Sequence, residues 1–192
     1  KMVAALDQTG QRENTLIIFT SDNGGSGPWK PSGKYPGTYM ENPVLGNNQP
    51  LRGQKGTVYE GGIRVPAFAN WPGNLEPLKL NLPIHIVDWM PTLCRVAGCS
   101  SDRDLKWDGR DVWPVVARKT ANAKPRSLYW KTPRFSAVRL GDWKLVVRNE
   151  GKDAELYDLA ADPYETQDLA GRHPDRVAEL CALRERYASG DR

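Results

Sequence analysis

Asp22 and Asn23 stand side by side in SDNGG, directly after the apolar run TLIIF, and Lys55 stands in RGQKGTVYEGG with Gly53 and Gly56 on either side of it. Adjacent carboxylate and carboxamide oxygens suit a hard cation such as calcium or magnesium far better than zinc. Two such donors cannot complete a calcium shell, which takes about six to eight oxygens. The same Asp-Asn-Gly-Gly series also reads as a turn in which Asn and Gly supply left-handed conformations. A lysine presented between glycines can neutralise an anionic oxygen as a compact point charge, or simply stand on a surface turn. Spacing alone leaves both choices open. Glu60 and Arg64, at i and i+4, are expected to pair with each other, and the two histidines, His85 and His173, are expected in structural or surface roles.

These residues need elements to hold them. KMVAALDQTG places Met2, Val3 and Leu6 at helical spacing and stops at Gly10, a helix C-terminus. TLIIF is short, continuous and rich in β-branched residues, as expected of a strand covered on both faces within an α/β sheet. In such sheets ligands bind beyond the carboxyl ends of the strands, where Asp22 and Asn23 fall. A long loop follows, carrying Trp29, Tyr35 and Tyr39. The next segment reads as a turn or short helix and then a strand near Val65 to Trp71. HIVDWMPTLCRVAG reads as a helix capped by Asp88, with Pro91 in its first turn, Leu93 and Ala97 on one face and Gly98 at its end. From about residue 120 the pattern changes: SLYW, SAVRL, WKLVVR and AELYDL alternate as strands. Gly141-Asp142 makes a two-residue hairpin turn. Val177, Leu180, Cys181 and Leu183 mark one stripe of a closing helix. The expectation is an α/β portion over residues 1–120 and a small antiparallel sheet with a packed C-terminal helix over 121–192.

Composition narrows the function. The chain has 192 residues, 39% hydrophobic and 26% charged, which is the range of globular proteins able to bury a core. No apolar stretch approaches the roughly 18 residues of a membrane span, and the first residues carry no charged-then-apolar signal pattern. A net charge of +4 comes from basic and acidic residues interspersed in the same segments, so it argues against a nucleic-acid track and fits attraction to an anionic substrate equally well. Cys94, Cys99 and Cys181 form neither a CxxC pair nor a zinc pattern. Cys94 and Cys99 are close enough in sequence to close a small disulfide in an oxidising compartment, while Cys181 belongs to a helix face.

Five motifs in order, NTLIIFTSDNGG, PLRGQKGTVYEGGIRVPAF, HIVDWMPTL, AVRLGDWKLV and ELYDLAADPYETQDLA, resemble the C-terminal half of a type I sulfatase of the arylsulfatase family. The resemblance implies part of an alkaline-phosphatase-like α/β fold and the hydrolysis of sulfuric esters. It implies that Asp22 and Asn23 match late calcium ligands and that Lys55 matches the lysine that binds the substrate's sulfate. NNQPLRG is reminiscent of members acting on sulfated sugars, so a sulfated carbohydrate is the substrate it suggests. A periplasmic or secreted location is compatible with it.

The chain also departs from the family. The family's nucleophile is a formylglycine made in a C-x-P-S-R or S-x-P-S-R segment, with an Asp-Asp pair before it that supplies further calcium ligands. No such segment occurs: Cys94 is followed by Arg-Val-Ala, Cys99 by Ser-Ser-Asp and Cys181 by Ala-Leu-Arg. The resemblance therefore implies a calcium half-site and a sulfate-binding lysine in a chain that is inactive alone. It also predicts self-association or pairing with a separate N-terminal sulfatase fragment, because TLIIF would lack neighbours. The competing readings are a non-catalytic module that binds calcium or a sulfated glycan through the Trp29 to Tyr39 loop, and phosphate-ester chemistry on the same fold.

Overall fold

The structure, a computed structural model, describes residues 1–27, 46–99, 105–118, 125–148 and 153–190. The chain forms two compact units, one of Lys1–Phe19 and Phe68–Lys124, the other of Thr20–Ala67 and Pro125–Arg192. This grouping by compactness differs from a division by chain order near residue 120, since Thr20–Ala67 packs with the C-terminal sheet.

In the first unit, α1 (Met2–Gln8) ends where Gly10 takes φ +69°, as its sequence predicts. β1 (Ile17–Thr20) and β2 (Ala67–Asn70) are hydrogen-bonded neighbours in a two-stranded sheet. Phe19 stacks on Phe68 with ring centroids 5.2 Å apart, yet the two stay 51% and 55% exposed. The cover on both faces expected for so apolar a run is thus not found among the described residues. Trp71 anchors the far end of β2 by donating from Nε1 to the Glu13 carbonyl at 2.7 Å.

A 3-10 turn, Ile86–Asp88, leads into α3 (Trp89–Val96). Asp88 does not cap α3 with its side chain. Its carboxylate is fully buried and instead accepts from the His85 backbone at 2.7 Å and the Arg110 backbone at 3.1 Å, tying the turn to a later loop. Gly98 closes the helix at φ +70° while the Cys99 amide donates to the Cys94 carbonyl at 2.8 Å. That backbone bond, and not a disulfide, joins the two cysteines: both thiols are free. α4 (Trp113–Val116) carries Pro114 in its first turn, and the Val112 amide beside it donates to Thr92 Oγ1 at 2.9 Å.

The second unit is built on an antiparallel sheet in the order β3 (Ser127–Lys131), β4 (Phe135–Leu140), β5 (Trp143–Arg148), β6 (Ala154–Asp158). Leu140 pairs with Trp143 across the Gly141-Asp142 turn, so the hairpin has the register its sequence predicts. Alternation divides the side chains between two faces. Val138, Leu145, Val147 and Leu156 meet Leu180 on α5 (Pro174–Gly190), with Val177, Cys181 and Leu183 beside it. Ala137, Val146 and Tyr157 point the other way, onto Val58 and Tyr59. The segment that bears Lys55 is therefore packed against the sheet face opposite α5. Each fully buried leucine contributes about 1.5–3 kcal/mol to holding these layers together.

Candidate functional site

The SDNGG segment is held by backbone. Ser21 donates its hydroxyl to the Asn23 carbonyl at 2.9 Å, and the Gly24 amide donates to the Gly62 carbonyl at 3.0 Å. A Cβ built on Gly24 would lie 1.8 Å from the Gly61 carbonyl oxygen, and one on Gly61 would lie 2.5 Å from that of Gly53. Neither glycine has a positive φ. The glycines of DNGG and EGG are thus required by close backbone stacking and not by the left-handed turn that their sequence suggests. This stacking fixes Asp22 and Asn23 against the loop that carries Lys55.

The Lys55 amide donates to the Gly25 carbonyl at 3.0 Å. Asn48 ties the same two stretches together, accepting from the Gly25 amide at 2.6 Å and donating to the Gly25 carbonyl at 2.9 Å and the Gly53 carbonyl at 3.3 Å. Gly53 and Gly56 both sit in the left-handed region, at φ +84° and +86°, so the chain turns sharply on each side of Lys55. The Lys55 side chain is exposed and makes no ion pair or hydrogen bond among the described residues. A hydrogen bond from Asn23 chiefly, with the positive charge of Lys55 adding to it, holds the Asp22 carboxyl below the usual carboxylate range. Asp22 is therefore an oxygen donor ready in its charged form, within electrostatic reach of the Lys55 ammonium. With the Asn23 carboxamide it offers two hard oxygen donors, which fit a calcium-type ion as part of its shell. No cluster of three or more His, Cys, Asp or Glu suited to a metal occurs among the described residues.

Three further residues fix this loop to the sheet. α2 (Glu60–Ile63) begins at a glutamate that is 3% exposed. Lys144 Nζ, fully buried on β5, lies 2.8 Å from Glu60 Oε1 and 2.8 Å from Glu165 Oε1. Glu165 Oε2 in turn accepts from the Glu60 amide at 2.7 Å. Burial pushes the Glu165 carboxyl up, against the opposing pull of Lys144. The expected Glu60–Arg64 pair is present at 3.9 Å but is the looser contact. Arg52 adds a second tie, with its guanidinium 4.0 Å above the Tyr59 ring, 3.2 Å from Glu155, and hydrogen-bonded to the Tyr157 hydroxyl. Tyr59, desolvated and donating to Glu155, is pushed up to about 12. Sequence reasoning passed over Lys144 and Glu165. The available signal was a lysine in WKLVVR at the inward phase of an alternating strand, where an apolar residue is expected.

His85 serves as a cap, its Nδ1 accepting from the Val87 amide at 3.4 Å, and His173 packs edge-on against Trp143 at 5.1 Å. Trp29, Tyr35 and Tyr39 lie outside the described residues.

A strand-end carboxylate and amide, locked by backbone stacking beside a free lysine, define a candidate anion and cation site on an α/β scaffold. Comparison with known proteins gives it a family. The Sulfatase family model matches residues 1–99, and the model for the C-terminal region of N-sulphoglucosamine sulphohydrolase matches residues 53–185. The chain belongs to the sulfatase family. Mouse arylsulfatase J is 31% identical over 92% of this chain, and a sulfatase of Formosa agariphila is 33% identical over 91%. The crystal structure of Ps i-CgsB in complex with k-i-k-neocarrahexaose superposes with a TM-score of 0.77 at 27% identity, over 97% of this chain and 39% of that one. A structure bound to D-glucosamine-2-N,6-O-disulfate shares the fold with a TM-score of 0.65 at 23% identity, over 98% of this chain and 37% of that one. The chain spans about a third of the length of the curated relatives, 35% and 32% of the two named.

Proposed function

We propose that this chain supplies the sulfate-binding lysine and two of the cation ligands of a sulfuric ester hydrolase acting on a sulfated carbohydrate. The observation that carries the reading is the pairing of Lys55, whose side chain makes no ion pair or hydrogen bond among the described residues, with Asp22 and Asn23 through the Lys55–Gly25 backbone bond at 3.0 Å. Lys55 binds an equatorial sulfuryl oxygen and offsets the negative charge that builds there as the ester bond lengthens. Because its loop is fixed by Asn48 and by the Glu60–Lys144–Glu165 cluster, the ammonium is preorganised and needs little rearrangement during reaction. Asp22 and Asn23 would hold a calcium ion by their side-chain oxygens. When bound, such an ion supplies Lewis-acid stabilisation to oxygens of the same sulfuryl group. The k-i-k-neocarrahexaose bound to one structural neighbour favours a carbohydrate ester as the substrate.

The proposal assigns no nucleophile to this chain. Neither free cysteines nor serines occur in the C-x-P-S-R or S-x-P-S-R setting, and electrostatic stabilisers do not replace the attacking group. The test is hydrolysis of 4-nitrophenyl sulfate by the 192-residue chain, with calcium and then with a chelator. Absence of turnover, together with sulfate binding that Lys55→Ala removes, supports the reading. Chelator-sensitive turnover would contradict the nucleophile assignment. Glycan binding that survives both Lys55→Ala and Asp22→Ala would favour a non-catalytic module instead.

A further inference from the structure

We propose that Cys94 and Cys99 form a redox-active pair at the end of α3, placed to close a disulfide without rearrangement of the backbone. The helix stops in a turn whose hydrogen bonds fix both residues. The Cys99 amide donates to the Cys94 carbonyl at 2.8 Å, the Gly98 amide donates to the Arg95 carbonyl at 3.1 Å, and Gly98 takes φ +70°. Nested bonds of this kind, closed by a left-handed glycine, make a Schellman turn, in which the side chains at the positions of Cys94 and Cys99 are frequently in apolar contact. Two thiols stand where two apolar side chains commonly meet.

The backbone bond also limits how far apart the two residues lie. Standard covalent geometry adds at most about 3.9 Å to the 2.8 Å between amide nitrogen and carbonyl oxygen, so the Cα atoms are within about 6.7 Å of each other. Disulfides span Cα separations of about 4.4–6.8 Å. Both thiols are free, Cys94 half-buried and Cys99 exposed, so a reagent meets Cys99 first. Rotation about the Cα–Cβ bonds of the two residues is the motion that closure requires. The turn is held before any oxidation, since Arg95, inside the ring that a bridge would close, pairs with Asp111 at 3.2 Å. Cys181 is the internal contrast: it packs beside Leu180 against the sheet, and burial pushes its thiol up.

The oxidant is a low-molecular-weight disulfide such as oxidised glutathione. The Cys99 thiolate attacks one of its sulfurs, the S–S bond of the reagent breaks, and one glutathione leaves as a thiolate that takes up a proton. The Cys94 thiolate then attacks the Cys99 sulfur of the mixed disulfide and expels the second glutathione. The protein gives up two electrons and two thiol protons, and the reagent takes them to become two thiols. An oxidising compartment supplies such disulfides and a reducing one does not, so the state of the pair reports where the chain resides.

Incubation of the 192-residue chain in a glutathione redox buffer, then alkylation and peptide mass mapping, tests this in native buffer and in urea, with wild type and Cys94→Ala. Folded wild type should carry a Cys94–Cys99 disulfide that dithiothreitol reverses, with Cys181 alkylated. The ratio of this bridge to the glutathione adduct should fall about tenfold or more in urea, where a flexible linker supplies an effective concentration of only about millimolar. Cys94→Ala should retain glutathione on Cys99. The bridged chain should melt at a higher temperature than the reduced one. Glutathione on Cys99 beside a free Cys94 in wild type, a Cys99–Cys99 link between two chains, a bridge no more favoured in native buffer than in urea, or a lower melting temperature on closure would overturn the proposal.

Discussion

At the scale of single residues, the account turns on Lys55 and on what faces it. An ammonium with no ion pair or hydrogen bond among the described residues retains its interaction for an incoming anion, because no such internal bond must first be broken. Lys55→Ala is accordingly expected to lower affinity for inorganic sulfate about tenfold to a hundredfold, the weight of a charged hydrogen bond, as read by calorimetry. Lys55→Arg should recover part of it, since the charge is kept while the compact point geometry is lost. Asp22→Ala should remove calcium binding and leave thermal stability nearly unchanged, because the side chain is exposed. The position of Asp22 and Asn23 just beyond a strand end was legible in the sequence. The reason for their glycines was not. DNGG looks like turn chemistry, and only the approach of the Gly61 carbonyl to Gly24 reveals that close packing of backbone on backbone excludes every side chain there.

At the scale of elements, the buried cluster of Glu60, Lys144 and Glu165 joins α2 to β5 and to the loop after β6. Removing its cation leaves two carboxylates in a dry site. Lys144→Met should destabilise the chain by about 3–5 kcal/mol in urea unfolding. Glu165→Gln should cost less, since burial already disfavours its charge. The turn after β6 behaves differently. Desolvation opposes ionisation of Asp162, but the amides of Gln167 and Thr166 at 2.8 and 2.7 Å outweigh it and hold the carboxyl below its ordinary 3.8. A depressed carboxyl stabilises the folded state above its unfolded pKa, and that contribution disappears as pH falls through the folded one. Asp162→Ala should therefore lower Tm at pH 7, and the difference from wild type should shrink as pH drops below 3.8. Leu180→Ala, emptying the contact between α5 and the sheet, should cost about 2–5 kcal/mol. The strands, their hairpin and the α5 stripe were readable because period and turn residues agree locally. The charged cluster was not, because its members are 84 and 21 residues apart in sequence and meet only through the tertiary fold.

At the scale of the whole molecule, Thr20–Ala67 belongs with the C-terminal sheet, so the loop that carries Lys55 is supported by a subdomain with no assigned chemistry of its own. Such a grouping depends on contacts distant in sequence and could not be read from composition, which shifts only near residue 120. The first unit leaves Phe19, Phe68, Ile86 and Met90 exposed, from 51% to 63%. Apolar surface of this kind favours association. The chain is expected to self-associate as its concentration rises in light scattering, and Phe19→Ser/Phe68→Ser should reduce this; a compact monomer across the whole concentration range would count against it. The central claim is that Asp22, Asn23 and Lys55 act on one anion. Its most direct test is the affinity of the chain for inorganic sulfate with and without calcium, measured in wild type, Lys55→Ala and Asp22→Ala. Two sites that share a ligand are coupled reciprocally. Calcium should tighten sulfate binding in wild type, Asp22→Ala should abolish that effect, and Lys55→Ala should weaken sulfate under both conditions. Sulfate affinity that responds neither to calcium nor to the loss of Lys55 would contradict the account.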